Sequence, residues 1–187
     1  EDMAYESYSV VRGRNPINGT GYQLNSYVNY DQNFNNAFWD GVQMTYGDGR
    51  GRPLTAIDIA GHEITHGLTN FTADLIYNDE SGALNESFSD IFGKAVEYYA
   101  RPNTITWRVG TGVVVIRDMA NPNQFNNPRN YDGNLWQDGA GVHTNSGVQN
   151  YWFYLLVDGV SGTNDFGDAF AIDSLGWDTT ASIAFRN

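Results

Sequence analysis

The motif His62-Glu63-Ile64-Thr65-His66 is the feature that most restricts how this chain can fold. It lies in a segment with few helix-breaking residues, Thr55 to Asn70, which predicts a helix with Thr55 as its N-cap. Because residues four apart share one helix face, both imidazoles can bind one ion at about 2.1 Å. Glu63 lies one residue further round, too far to be a third ligand, and is placed to act as a general base on water at that ion. The alternative is a helix with two hydrogen-bonded histidines and a surface glutamate.

A second predicted helix, Leu84 to Tyr99, carries Glu86 and Asp90 four residues apart on one face. Glu86 would complete a ligand set of two histidines and one glutamate, which leaves one position of a zinc ion open. Asp90 can accept a hydrogen bond from the other nitrogen of a ligand histidine and so select its tautomer. The alternative is an amphipathic helix with solvated acids.

The one remaining histidine, His143, stands at the start of a third predicted helix, Thr144 to Val157. A helix N-terminus disfavours imidazolium unless a carboxylate compensates, and Asp138 could be that carboxylate. An imidazole close to the metal would stabilise a tetrahedral oxyanion, whereas elsewhere it would be a cap or core residue. Tyr77 and Arg117 are polar groups in supporting segments that spacing alone does not single out.

The remaining pattern predicts an α+β fold that is β-rich to about residue 55 and helical over residues 56–187, with a zinc cleft between the two parts. Partial alternation predicts a strand at Gln23 to Tyr30, and a second extended run covers Ala37 to Tyr46 before the turn at 47–49. Residues 1–11 are predicted to end a helix, residues 101–141 to be irregular, and Thr179 to Arg186 to be helical.

Composition narrows the class of partner. The 187 residues suffice for one domain, and the net charge of −12 argues against nucleic acid and anionic membranes. The sequence contains no cysteine, which excludes disulfides and thiolate-bound zinc. No segment reaches the roughly 18 apolar residues of a membrane span. The chain begins without a signal peptide, which predicts a mature or trimmed product.

Seven runs, at 35–39, 43–49, 61–69, 75–77, 81–93, 117–122 and 141–147, together resemble the thermolysin family of neutral metalloproteases, M4. Their order and intervals suit the family, and the resemblance covers nearly the whole chain. It implies a secreted, monomeric zinc endopeptidase that acts on peptides or proteins, favours a bulky apolar residue after the cut and has its own propeptide as a further partner.

The resemblance also implies roles for individual residues. The zinc ligands would be His62, His66 and Glu86, with Asp90 bound to a zinc histidine. Glu63 would be the catalytic base and proton shuttle, Tyr77 and His143 would stabilise the oxyanion, and Asp138 would orient His143. Substrate would be bound by Asn36, Ala37 and Arg117, with the strand 36–39 as an edge for an extended peptide and Ile59 and Ile116 lining the pocket.

The sequence departs from the family in two respects. Asp58 and Glu97 match acids that bind calcium in the family, but residues 106–111 carry no carboxylate where the family has an acidic cluster. The usual two-calcium site is therefore not expected, and our hypothesis is that Arg108 replaces a calcium ion as the partner of Asp58 and Glu97. Family catalytic domains are also longer, which predicts that this chain is a fragment of a longer catalytic domain. A catalytically inactive zinc-binding fragment or binding module is thus the main alternative to an active enzyme, and an interaction domain with scattered aromatic residues is a weaker one.

Overall fold

The structure is a computed structural model that describes residues 2–11, 13–15, 17–49 and 51–186. Its fold is α+β, as predicted. The helices are α1 (Asp2–Glu6), which continues as a π-helical turn (Ser7–Val11), α2 (Ile57–Asn70), α3 (Asp79–Ala100), α4 (Val142–Asn145), α5 (Gly147–Asp158) and α6 (Gly176–Arg186). The strands are β1 (Ser26–Tyr30), β2 (Ala37–Trp39), β3 (Met44–Gly47), β4 (Arg108–Val109), β5 (Arg117–Asp118), β6 (Ser161–Thr163) and β7 (Ala169–Ala171).

The N-terminal sheet has the strand order β1-β3-β2. Strand β3 is parallel to β1 and antiparallel to β2, so β2 lies at one edge. The prediction of one extended run from Ala37 to Tyr46 was wrong, because β2 and β3 form a hairpin. The turn begins at Asp40, whose Oδ1 accepts hydrogen bonds from the amides of Val42 and Gln43, each at 2.9 Å. The Asp40-Gly41 pair, with Gly41 at φ of 100°, is the sequence signal for this turn.

Helices α2 and α3 pack closely because glycines face each other where they cross. A Cβ on Gly61 would lie 3.0 Å from the Cα of Gly93, and a Cβ on Gly93 would overlap the carbonyl oxygen of Asp58. Around this contact lies the main core, to which α2, α3 and α5 contribute Ile64, Ile91 and Phe153, all fully buried. The close approach places the acidic face of α3 against the histidine face of α2.

Predicted helix boundaries were wrong at four places, and one of them is the start of α6, which lies at Gly176 instead of Thr179. Helix α2 begins at Ile57 with Ala56 at its N-cap, so Thr55 is not the cap. Helix α3 begins at Asp79, five residues before the predicted start at Leu84, because Ser81 and Gly82 continue the helix instead of ending a loop. The predicted third helix is two helices, α4 and α5, that meet at Ser146.

The rest of the chain is mostly irregular between the helices, as predicted for residues 101–141. This segment contains the two-residue strands β4 and β5, which pair antiparallel, and a short 3-10 helix (Pro122–Phe125). A hairpin of β6 and β7 separates α5 from α6. Among the described residues, no helix combines the length and the apolar character needed to cross a bilayer.

Candidate active site

Within the described residues, one group of side chains has the donor set of a metal site, namely His62, His66 and Glu86. The two imidazole Nε2 atoms are 3.0 Å apart. Oε2 of Glu86 lies 3.6 Å from Nε2 of His62, and Oε1 lies 3.4 Å from Nε2 of His66. A tetrahedral zinc ion with ligands at about 2.1 Å separates ligand atoms by about 3.4 Å, so the spacing fits zinc.

Glu86 supplies independent support for a cation at this position. Its side chain is 1% exposed, and Oε2 accepts no hydrogen bond from the described residues. Burial alone would raise the pKa of Glu86, but His62 and Arg117 hold it well below its usual range. Nη2 of Arg117 lies 3.5 Å from Oε2 and forms an ion pair without a hydrogen bond. A buried, ionised carboxylate oxygen without a hydrogen-bond donor is rare in proteins, so Oε2 is suited to bind a further cation.

Each of these two histidines is oriented through its other nitrogen. Nδ1 of His62 lies 2.9 Å from Oδ1 of Asp90. Nδ1 of His66 lies 2.8 Å from Oδ1 of Asn85 and 3.1 Å from the hydroxyl of Ser89. These acceptors favour the tautomers in which both Nε2 atoms are free to bind metal. Sequence reasoning identified Asp90 but missed Asn85 and Ser89, although their spacing of four residues follows the same helical rule as Glu86 and Asp90.

Asp90 is the centre of a buried polar network. Its Oδ2 accepts hydrogen bonds from Nε of Arg117 at 2.6 Å and Nδ2 of Asn150 at 2.7 Å, and its Oδ1 accepts one from Nη2 of Arg117 at 2.6 Å. Oδ1 of Asn150 accepts a hydrogen bond from Ser87, which fixes the orientation of the amide. The network links α2, α3, β5 and α5. Sequence reasoning missed Asn150, because nothing near it in the sequence shows which element it contacts.

In this network, ion pairing has a larger effect on the pKa values than burial does. Burial alone would raise the pKa of Asp90, but Arg117 and His62 hold it well below its usual range. Burial alone would lower the pKa of His62, but the carboxylates of Glu86 and Asp90 raise it to about 9. In the metal-free protein at neutral pH, the site is therefore held together by ion pairs, and a metal ion must displace the proton of His62.

Glu63 lies on α2 beside the two histidines and lines the cleft without belonging to the group of metal-ligating residues. Its side chain is largely buried, and burial raises its pKa above the usual value. A carboxyl group with a raised pKa is suited to exchange a proton near neutral pH.

Tyr77 and His143 lie on the open side of the site. The hydroxyl of Tyr77 donates a hydrogen bond to Oε1 of Glu86. Nε2 of His143 lies 3.3 Å from the same oxygen and 3.4 Å from the hydroxyl of Tyr77. Burial lowers the pKa of His143, and burial next to Glu86 raises that of Tyr77, so both groups are neutral hydrogen-bonding groups at pH 7.

Asp138 was predicted to orient His143, but its carboxylate hydrogen-bonds a different side chain. Its Oδ1 accepts a hydrogen bond of 2.9 Å from the indole Nε1 of Trp136. In the part of the chain that the structure describes, no hydrogen bond joins Asp138 to His143. The carboxylate is exposed, so solvent satisfies it without the imidazole.

A cleft with a volume of about 660 Å³ runs over the metal-ligating residues, within the usual range for ligand sites. Edge strand β2 and the residue before it form one wall, with Asn36, Ala37 and Trp39. The cleft is also lined by Ile59 and by the loop before β5. The residues of that loop and strand in the cleft are Val114, Ile116 and Arg117.

The hypothesis that Arg108 neutralises Asp58 and Glu97 was wrong. Arg108 is half exposed, and its Nε pairs with Oδ2 of Asp118 at 3.4 Å. The cation between the two acids is Lys94, which hydrogen-bonds Glu97 and lies 3.6 Å from Oδ2 of Asp58. Lys94 and Glu97 lie three residues apart on α3, whereas the side chain of Arg108 points to its own hairpin partner.

Comparisons with known proteins agree with the fold and identify the family. A family model described as "Thermolysin metallopeptidase, catalytic domain" matches residues 1–70, and one described as "Thermolysin metallopeptidase, alpha-helical domain" matches residues 73–187. The chain therefore belongs to the thermolysin family of metallopeptidases, which confirms the resemblance inferred from its motifs. The predicted division at residue 55 stays a prediction.

Individual relatives carry the same family names. The chain is 41% identical to a bacillolysin from Bacillus cereus over 97% of its own length and 33% of the relative. It is 42% identical to a thermolysin from Alicyclobacillus acidocaldarius subsp. acidocaldarius over 84% of its own length and 31% of the relative. Among solved structures, the precursor of protealysin, a metalloproteinase from Serratia proteamaculans, matches with a TM-score of 0.70 and 31% identity over 83% of this chain and 56% of that one. The chain spans about a third of the length of these curated relatives.

Proposed function

We propose that this chain is the zinc-binding part of a secreted endopeptidase that hydrolyses peptide bonds in peptides or proteins. The observation that carries the proposal is the arrangement on α2 and α3. Three side chains hold the donor geometry of zinc, while a fourth, Glu63, lies beside them as a carboxylate that is not needed as a ligand. A purely structural zinc site has no use for such a carboxylate.

Zinc, when bound by His62, His66 and Glu86, would polarise the carbonyl of the bond to be cut and make water a better nucleophile. Glu63 accepts the proton of the attacking water and returns it to the leaving amine nitrogen. Tyr77 and His143, neutral and on the open side, donate hydrogen bonds to the oxygen that becomes negative as water adds. Loss of one such donor typically lowers the rate by about 10²–10³.

Substrate is held along the edge strand and against the other residues that line the cleft. Strand β2 offers its free edge beside Glu63, so an extended peptide can pair with the backbone at Asn36 and Ala37. Arg117 is fixed by Asp90 through Nε and Nη2, and Nη1 makes no hydrogen bond within the described residues, so it can donate to a substrate carbonyl. Ile59 and Ile116 line the cleft near it, which favours a bulky apolar residue after the cut.

Hydrolysis of a quenched peptide with leucine after the cut tests the proposal. We expect cleavage that a zinc chelator abolishes and added zinc restores. The Glu63→Gln variant should bind one zinc ion but lose activity by at least about 10²-fold, because glutamine keeps the shape and cannot accept the proton. Glu63→Ala is the second variant, and Glu80→Gln, an exposed acid on α3, is the control. Chelator-resistant cleavage, or full activity in Glu63→Gln, would refute the mechanism.

A zinc-binding but inactive module is the alternative, favoured by the fact that the chain spans about a third of its curated relatives. One tightly bound zinc with no cleavage, followed by cleavage in a longer chain, would support it.

We also propose that the protein is a monomer with its own propeptide as a partner, since a solved relative is described as a precursor. With a net charge of −12, nucleic acid and anionic membranes are not proposed as partners, and calcium is not proposed at the Asp58–Glu97 cluster.

A further inference from the structure

Lys94 is the only lysine in the sequence, and its side chain is fully buried. Its ammonium group donates hydrogen bonds to Glu97 and, at 3.0 Å, to the carbonyl oxygen of Arg108. Oδ2 of Asp58 lies 3.6 Å away, and both carboxylates are themselves buried. An ammonium group is strongly hydrated and is seldom buried unless several oxygens replace its water, so this is a site built around a cation.

The ammonium group of Lys94 joins three elements that are far apart in the sequence. Asp58 belongs to the first turn of α2, Glu97 to the last turns of α3, and the carbonyl of Arg108 to β4. Oδ2 of Asp58 also accepts a hydrogen bond of 2.7 Å from the amide of Gly110, the residue after β4. The start of the β4–β5 hairpin is therefore attached to both helices through one positive charge and two negative ones.

The hairpin attached in this way forms one wall of the cleft. Strands β4 and β5 pair through only two residues each, so the hairpin has little internal support. Its loop carries Val114 and Ile116 into the cleft, and β5 carries Arg117 to Asp90. Gly110, at φ of 87°, starts the loop, and a Cβ there would lie 3.7 Å from Cδ1 of Ile59. The depth of the apolar pocket thus depends on where the hairpin is held.

We propose that Lys94 is a built-in cation that takes the place of a bound metal ion between Asp58 and Glu97, and that it positions the hairpin wall which sets side-chain preference in the cleft. The preference is a refinement of the proposed peptidase function and rests on it. The cation site itself does not, because the contacts of Lys94 include none of the residues of the proposed zinc site.

Thermal unfolding of the Lys94→Met and Arg108→Met variants tests the cation site. Methionine keeps the length of lysine but leaves two buried carboxylates unpaired, so the melting temperature should fall by roughly 6–20 °C. Arg108→Met removes the exposed cation of the same hairpin and should change it by less than about 2 °C. Equal melting temperatures for the two variants would overturn the proposal.

Calcium provides a second measurement on Lys94→Ala. The atoms around the missing ammonium group are carboxylate and carbonyl oxygens, which are the ligands that Ca²⁺ prefers. Millimolar Ca²⁺ should therefore raise the melting temperature of Lys94→Ala and leave that of the parent chain unchanged. Failure of Ca²⁺ to stabilise the variant, or an equal effect on the parent, would overturn the assignment.

Amine labelling keeps the proposal testable if the Lys94 variants do not fold. In the parent chain, an N-hydroxysuccinimide ester should label the terminal amine and leave Lys94 unlabelled until denaturant is added, as peptide mass spectrometry can show. Labelling of native Lys94 at the rate of the terminal amine would overturn its burial and the proposal with it.

Positioning of the wall is read from peptide preference. The ratio of kcat/KM for leucine over alanine after the cut should fall about threefold or more in Lys94→Met, with zinc content unchanged. An unchanged ratio in the folded variant would refute the positioning role. Absence of cleavage by the parent chain would count against the peptidase function alone, since melting and labelling would still report on the cation site.

Discussion

Replacing Asp90 with asparagine should weaken zinc binding and destabilise the protein, although Asp90 itself is not a ligand. The carboxylate accepts four hydrogen bonds, of which one comes from His62, two from Arg117 and one from Asn150. Asparagine has nearly the same shape but a single acceptor oxygen and no charge. Its amide nitrogen would face donors where the aspartate offers an acceptor oxygen.

The magnitude follows from these contacts. Each buried donor left without an acceptor costs about 1–3 kcal/mol, and Oδ2 alone serves two donors. Removing one partner of a buried ion pair costs about 3–5 kcal/mol, and here Arg117 would keep only its longer ion pair with Glu86, in which Nη2 and Oε2 are 3.5 Å apart. These two costs overlap, so we expect a loss of about 3–5 kcal/mol in the free energy of unfolding. Since Asp90 also orients His62, zinc affinity should fall by roughly 10- to 100-fold.

Competition for zinc with a chromophoric chelator measures the affinity, and urea unfolding of the metal-free protein measures the stability. Asp173→Asn, which neutralises an exposed carboxylate, is the control and should change neither quantity. A zinc affinity of Asp90→Asn within twofold of the parent would refute the view that Asp90 orients the ligand. Lower affinity with unchanged stability would instead refute the energetic role given to its pairing with Arg117.

Zinc affinity should rise by up to about tenfold per pH unit between pH 6.5 and 8.5, because zinc must displace a proton from His62. Burial lowers the pKa of His62, but its carboxylate neighbours raise it by more, to about 9, so the imidazole is protonated over most of this range. Calorimetry in two buffers measures that proton release, and an affinity independent of pH would contradict it. Gly93→Ala should lower the free energy of unfolding, measured in urea, by about 1–3 kcal/mol, because its Cβ would push α2 away from α3. Gly141→Ala has open space at its Cβ and should lower it by less than about 1 kcal/mol. Tyr77→Phe should lower kcat about 10²-fold and Asp138→Asn less than about threefold, because Asp138 bonds Trp136; equal losses in peptide cleavage would reverse those roles.

Sequence reasoning was strongest where function depends on spacing within one helix. His62 and His66 on α2, and Glu86 and Asp90 on α3, were paired by the rule that residues four apart share a face. That rule depends on backbone hydrogen bonds within the helix and needs no knowledge of what the helix packs against. The predicted α+β fold and the predicted family were both confirmed. They rest on patterns within short segments and on the order of those segments along the chain.

Boundaries were less predictable because local signals compete there. The Asp-Gly pair at 40–41 marks a hairpin turn, but the apolar residues on both sides favoured one long strand. Ser81 and Gly82 favour a loop in isolation, yet both lie within α3 because burial against the neighbouring elements outweighs their weak helix propensity.

Chemically equivalent candidates were separated only by the tertiary structure. Arg108 and Lys94 are both cations that could neutralise Asp58, and the packing of α3 against α2 buried one of them while leaving the other exposed. Sequence alone determined which residue types share a face of each helix, because helical geometry is local. Which of those residues contact each other was decided by the close approach of α2 and α3 at their glycines and by the side-chain rotamers that this approach allows. Such contacts join distant segments of the chain, so they depend on how the whole core is packed.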